Sequence, residues 1–237
     1  NTTGAQNTSV GAQNFEVATT GSENAYFGYL SGYDHTTASY STGLGSRTLA
    51  NNTTGASNTA VGYNALYTNT TGGAITAVGD NALFANTTGA NSTAMGERSL
   101  YTATTANSNT SIGNRAMYST TTGGDNVALG HNALYTSTTG HNDTAIGYKA
   151  LYANTTGASN TAVGYQALDA NTTGNYNTAV GDTALSSQTT ANYSVAVGRQ
   201  ALTSLTTGNN NVALGHSAGY YHTTGDHNVY IGHDAAR

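Results

Sequence analysis

The chain has 237 residues, a formal net charge of −5 from six Lys/Arg against eleven Asp/Glu, no cysteine and no proline. So few cations leave no basic stripe with which to neutralise phosphates, which argues against a nucleic-acid partner, and the missing cysteines exclude disulfide staples and thiolate metal sites. Apolar runs of only a few residues argue against membrane insertion.

Leu, Ile, Val and Phe make only 32 residues, too few for a conventional core of this length. Disorder is the simplest reading of that shortage, but disorder of this kind needs low complexity or strong net charge, and here the apolar residues recur at fixed phase. Fourteen glycines follow one another at 17-residue intervals from Gly11 to Gly232, and a threonine pair keeps the same interval from Thr2-Thr3 to Thr223-Thr224. An unbroken period of this length is the signature of a solenoid, in which each coil buries a few side chains against the coils before and after it. The fold class expected is therefore all-β: a parallel β-solenoid of fourteen 17-residue coils forming one repeat domain over residues 1–237, a segment of a longer fibre.

Within the unit Asn154 to Ala170 the elements follow in order. Seventeen residues cannot hold a crossover helix with its loops, so strands and turns remain. Asn160 to Val163 alternates as a strand does, and the apolar Val163 position places Thr161 and Val163 inside with Ala162 turned away. Gly164, never substituted at its phase, marks a turn that needs positive φ or close backbone approach. A second short strand centred on Ala167 and Leu168 is expected to supply the opposite wall. At the Thr155-Thr156-Gly157 corner one threonine of the pair turns inward and gives its hydroxyl to a backbone group. Asn recurs at the Asn160 phase in nine units, where stacked amides can hydrogen-bond up a ladder. Near the start, Tyr26, Phe27, Tyr29 and Tyr33, and near the end, Tyr220, Tyr221 and Tyr230, place aromatics in coils that elsewhere carry smaller residues.

At Asn126-Val127-Ala128-Leu129-Gly130, Ser194-Val195-Ala196-Val197-Gly198 and Asn211-Val212-Ala213-Leu214-Gly215 the unit resembles the head repeat of trimeric autotransporter adhesins, the YadA-like family. The stretches Phe27 to Tyr33 and Gly225 to Gly232 are also similar to repeats of phage and bacterial tail-fibre-like surface proteins. The resemblance implies a left-handed parallel β-roll, assembly as a homotrimer or filament, and adhesion at an extracellular, cell or virion surface, with a host-surface or glycan receptor as partner.

No constellation suited to catalysis or to a cofactor emerges: acids scatter over several phases and serines lack recurrent His or Asp partners. The reading is of a non-enzyme. Histidines gather near the end, at His216, His222, His227 and His233; the first and last of these share a phase, but two ligands do not make a metal site. Tyr67, Phe84, Tyr101, Tyr118, Tyr135 and Tyr152 form one aromatic stripe, a candidate contact for ligand or neighbouring subunit alongside the small residues at the Ala162 phase. Asn52, Asn69, Asn86, Asn154 and Asn171 stand in Asn-x-Ser/Thr sequences and are candidate glycosylation sites, which would make a glycan-coated filament. Twenty-eight threonines in register raise one further alternative, an ice-binding solenoid. Two ranks on one flat face need Thr-x-Thr, however, and adjacent threonines point apart.

Overall fold

The structure is a computed structural model and describes residues 2–237. Fourteen strands of three residues recur every 17 residues, from β1 at Thr8–Val10 through β9 at Thr144–Ile146, β10 at Thr161–Val163 and β11 at Thr178–Val180 to β14 at Val229–Ile231. They follow in chain order in one parallel sheet. Among the described residues there is no helix, and the architecture is the expected β-solenoid. The chain forms two compact units, Asn1–Thr122 and Gly123–Arg237.

Register follows from the period: Thr161 pairs with Thr178, Ala162 with Ala179 and Val163 with Val180. The inside and outside of the strand are the reverse of the sequence reading. Ala162 is fully buried, whereas Thr161 and Val163 are only half-buried. A three-residue strand sends one side chain inward, and in so narrow a coil that place faces Leu168, which already fills the interior. The β-branched residues sit outside because they suit a pleated surface, which is a strand preference independent of burial.

The opposite wall also differs from expectation. Ala167 and Leu168 are fully buried, as expected, but they lie in a run of turns in place of a second strand. Gln166 and Leu168 adopt φ of 49° and 52°, and the pattern repeats in neighbouring coils, for instance at Lys149 and Leu151. Left-handed leucine is uncommon. Stacking holds it: Gln166 N donates to the Tyr148 carbonyl of the preceding coil at 2.9 Å, and Leu168 N to the Ala184 carbonyl of the following one at 3.0 Å. Gly164 has φ of +141°, and a Cβ there would run into the Gly181 carbonyl, so both reasons for an invariant glycine apply.

The threonine corner works as expected for its first member. Thr155 Oγ1 and Thr155 N each donate to the Thr172 carbonyl at 2.9 Å, and Thr156 N joins them at 3.2 Å. The second threonine of the pair, Thr156, is exposed.

Two amide ladders complete the interior. At the Asn160 phase, Asn177 donates from its backbone N to Asn160 Oδ1 at 3.0 Å and from Nδ2 to the Ala191 carbonyl at 2.8 Å. At the Asn154 phase, Asn171 Nδ2 donates to Asn154 Oδ1 at 3.1 Å, and in the other unit Asn86 donates to Asn69 and Asn69 to Asn52, each at 2.7 Å. Buried amides in register satisfy one another along each run, and the runs at the Asn154 phase end on Asn86 and Asn171, whose Oδ1 atoms are buried without a partner among the described residues.

Candidate functional surfaces

Because the strand turns Ala162 inward, its outer face carries two columns, one of Thr or Val at every coil but that of Ala25 and one wholly apolar. In the first unit the apolar column includes Leu44 and Met95, exposed by 51% and 41%; in the second it includes Leu129, Val197 and Leu214, exposed by 45%, 38% and 39%. Within each unit, a strip of half-bare apolar side chains along the strands is the kind of surface that marks an interaction site. The signal was present in the sequence as an apolar residue in every unit, but alternation alone does not say which side of a strand is the core.

The aromatic stripe is a set of stacked ladders. Tyr67 and Phe84 lie 5.5 Å apart between centroids, Phe84 and Tyr101 5.3 Å, and Tyr101 and Tyr118 5.2 Å, all nearly parallel; in the second unit Tyr135 and Tyr152 lie 5.3 Å apart. All six rings are half-buried. A ring whose two faces are covered by its neighbours offers a ligand only its edge, so a ladder interior such as Phe84 or Tyr101 has no face free for a sugar. The small residues that were to accompany this stripe in a subunit contact are inside the coil, since Ala162 and its equivalents Ala145 and Ala179 are fully buried. Two further ladders share the 17-residue spacing: Tyr148 with Tyr165 at 5.3 Å and the more exposed Tyr176 with Tyr193 at 5.1 Å. The Lys149 ammonium lies 5.5 Å from the Tyr148 centroid and 5.1 Å from that of Tyr152, a cation–π bridge between columns.

The candidate glycosylation sites are corrected by burial. Asn52, Asn69, Asn154 and Asn171 are fully buried and Asn86 is 1% exposed, and all five supply the inner amide ladder. A glycan on any of them would have to displace the ladder, so the folded coils cannot carry it.

His216 and His233 stack at 5.0 Å, and with Asp234 they place one ligand atom each within 4.8 Å of the others. Two guanidiniums already use this cluster: Arg199 Nη1 donates to His216 Nε2 at 3.2 Å, and Arg237 Nη1 reaches both Asp234 oxygens at 3.2 and 3.3 Å. The arrangement is a hydrogen-bonded polar patch.

His222 belongs elsewhere. Its Nδ1 accepts from the Tyr230 hydroxyl at 3.0 Å while its Nε2 donates to the Gly225 carbonyl at 2.9 Å. The first unit repeats the arrangement, with Tyr26 donating to His35 Nδ1 at 3.0 Å and His35 Nε2 donating to the Ala38 carbonyl at 2.6 Å. In each case tyrosine occupies the Ala162 phase, histidine the Asn154 phase, and a glycine, Gly32 or Gly219, the Leu168 phase. The ring takes the room the leucine leaves: a Cβ at Gly32 or Gly219 would meet Tyr26 or Tyr230. Tyr26 and Tyr230 are thus compensated substitutions, whereas Phe27, Tyr29 and Tyr221 are exposed. Burial pushes the His35 imidazole below its usual pKa range and the Tyr26 phenol well above its own.

The fold and its stacked columns define a β-solenoid repeat protein. No family model matches the chain, and no curated protein or solved structure matches it either.

Proposed function

We propose that this chain is a structural and adhesive segment of an extracellular fibre, in which copies of the solenoid pack together through the outer face of the strands. The observation that carries the reading is the aliphatic column at the Val163 phase. Covering such a column removes apolar area from water in every coil, each square ångström contributing about 25 cal/mol. The likeness of the Asn126 to Gly130 motif to the head repeats of trimeric adhesins supports a trimer as the assembled form. Sedimentation equilibrium tests the assembly: the wild type should run well above its 24.0 kDa chain mass, and Val163→Lys with Val180→Lys should return it to that mass without unfolding it. A wild-type protein that sediments as a monomer at micromolar concentration would remove the basis for the proposal.

Ice binding is the second reading, and the observation that favours it is the outward threonine column that includes Thr59, Thr76, Thr93 and Thr110. The adjoining column runs Val61, Val78, Met95 and Ile112, side chains of unequal length that spoil a flat lattice-matched surface. The first threonine of most corner pairs, such as Thr155, is also committed to its carbonyl ladder, leaving a single exposed rank there. Clear thermal hysteresis would reverse this order of preference.

A further inference from the structure

In the second unit the amide ladder at the Asn160 phase contains one acid, Asp143, which is 1% exposed. Its neighbours show what that position requires. Asn126 Nδ2 donates to the Gly140 carbonyl at 2.9 Å and Asn160 Nδ2 to the Gly174 carbonyl at 2.9 Å, so each rung accepts with its oxygen and donates with its nitrogen to the glycine 14 residues on. Asp143 meets the accepting half in full: Oδ1 takes the Asn160 backbone N at 2.8 Å and Asn160 Nδ2 at 3.2 Å. The other oxygen, Oδ2, stands in place of the amide nitrogen and has no hydrogen to give unless it carries a proton.

The surroundings of Oδ2 sharpen the requirement. At the adjoining phase this coil has Ser137 where the next two have Asn154 and Asn171, and the Ser137 hydroxyl is buried with no hydrogen-bond partner among the described residues. A Cβ built on Gly140 would lie 2.7 Å from the Gly157 carbonyl oxygen, 2.9 Å from Ser137 Oγ and 3.0 Å from Asp143 Oδ2, so three oxygens converge on one small space. Among the described residues the single donor that reaches Oδ2 is Asn154 Nδ2, at 3.0 Å. The groups facing the carboxyl are therefore the amides of Asn126, Asn154 and Asn160, the Ser137 hydroxyl and backbone. No cation is among them. His141, the titratable neighbour in sequence, is exposed and bonded to Asn142.

We propose that Asp143 is a pH-operated latch: the folded coil holds its carboxyl protonated, with Oδ2 donating into the converging oxygens, and the coil loosens when that proton leaves. Burial, opposed by the Asn160 and Asn154 hydrogen bonds, pushes the carboxyl from 3.8 up to about 7. The unfolded chain releases this proton near 3.8 and the folded chain keeps it to about 7, so stability falls as pH rises through that window and stays at its floor above it. The full effect on the folding equilibrium is on the order of a thousandfold.

The test compares the wild type with Asp143→Asn, which restores the amide that most coils carry at this phase. Between about pH 5 and about pH 9 the wild type should lose roughly 5 to 15 °C of melting temperature relative to the variant, titrations common to both cancelling in the comparison. At about pH 5 the infrared difference spectrum between the two should contain a protonated-carboxyl carbonyl band that fades as pH rises. Parallel melting curves across the range, or no such band at the acid end, would overturn the proposal.

Discussion

Gly164 shows how much of this fold rests on one atom being absent. Its φ of +141° is a region that side chains strain to enter, and the space where a Cβ would lie holds the Gly181 carbonyl of the next coil. Gly164→Val should therefore cost more than about 3 kcal/mol, adding a backbone penalty of about 1–3 kcal/mol to displacement of the stacked carbonyl. Denaturant melts read by circular dichroism check this, and an unchanged midpoint would show that the corner is free to open. The left-handed leucine and glutamine positions beside it are tolerated for the opposite reason: their side chains point into the core or to solvent, and only their backbone bends. Asn154 and Asn160 illustrate the same economy among polar residues, since each amide satisfies the rung above or below it. Removing one leaves a buried partner unpaired, at a penalty of about 1–3 kcal/mol.

At the scale of the strand and the column, stacking sets the energetics. Changing Tyr101, Tyr118 and Tyr135 together to Ser removes stacked pairs worth about 0.5–1.5 kcal/mol each, so the melting temperature should fall by several degrees. The sedimenting mass should not change, because the association proposed here uses the Val163 column. Loss of assembly in the triple variant would move the interface to the tyrosines. The period, the all-β class without helix, the glycine turn, the burial of the leucine column and the Asn160 ladder were all legible in the sequence, because each depends only on identity recurring at a fixed interval, whereas the expected second strand is a run of turns. What it concealed was direction. Thr161 and Val163 alternate with Ala162 equally well whichever side is the core, and composition favours valine inside until the narrowness of the coil is known. The turns at Gln166 and Leu168 were concealed because no glycine announces their positive φ. The Asn154 ladder was hidden by its likeness to a glycosylation motif, and the compensation of Tyr26 by Gly32 appears only when residues are compared at different phases of the same coil.

For the molecule as a whole, side chains sort into columns with distinct tasks: alanine, leucine and two amide ranks inside, a committed threonine rank at the corner, tyrosine ladders along the turns, and an aliphatic strip along the sheet. All but the strip are consumed in holding coil to coil. Among the described residues nothing covers the strip, and association of copies through it is the centre of this account. With no native cysteine to interfere, single-cysteine labelling addresses it directly. Val163→Cys should react readily with a thiol reagent in dilute solution and become protected as concentration rises into the assembling range. Ala162→Cys should be protected throughout and Thr156→Cys labelled throughout. Protection of Val163→Cys even at high dilution would mean that the column faces inward. Equal labelling at every concentration would mean that no copy covers it, and either result would contradict the account.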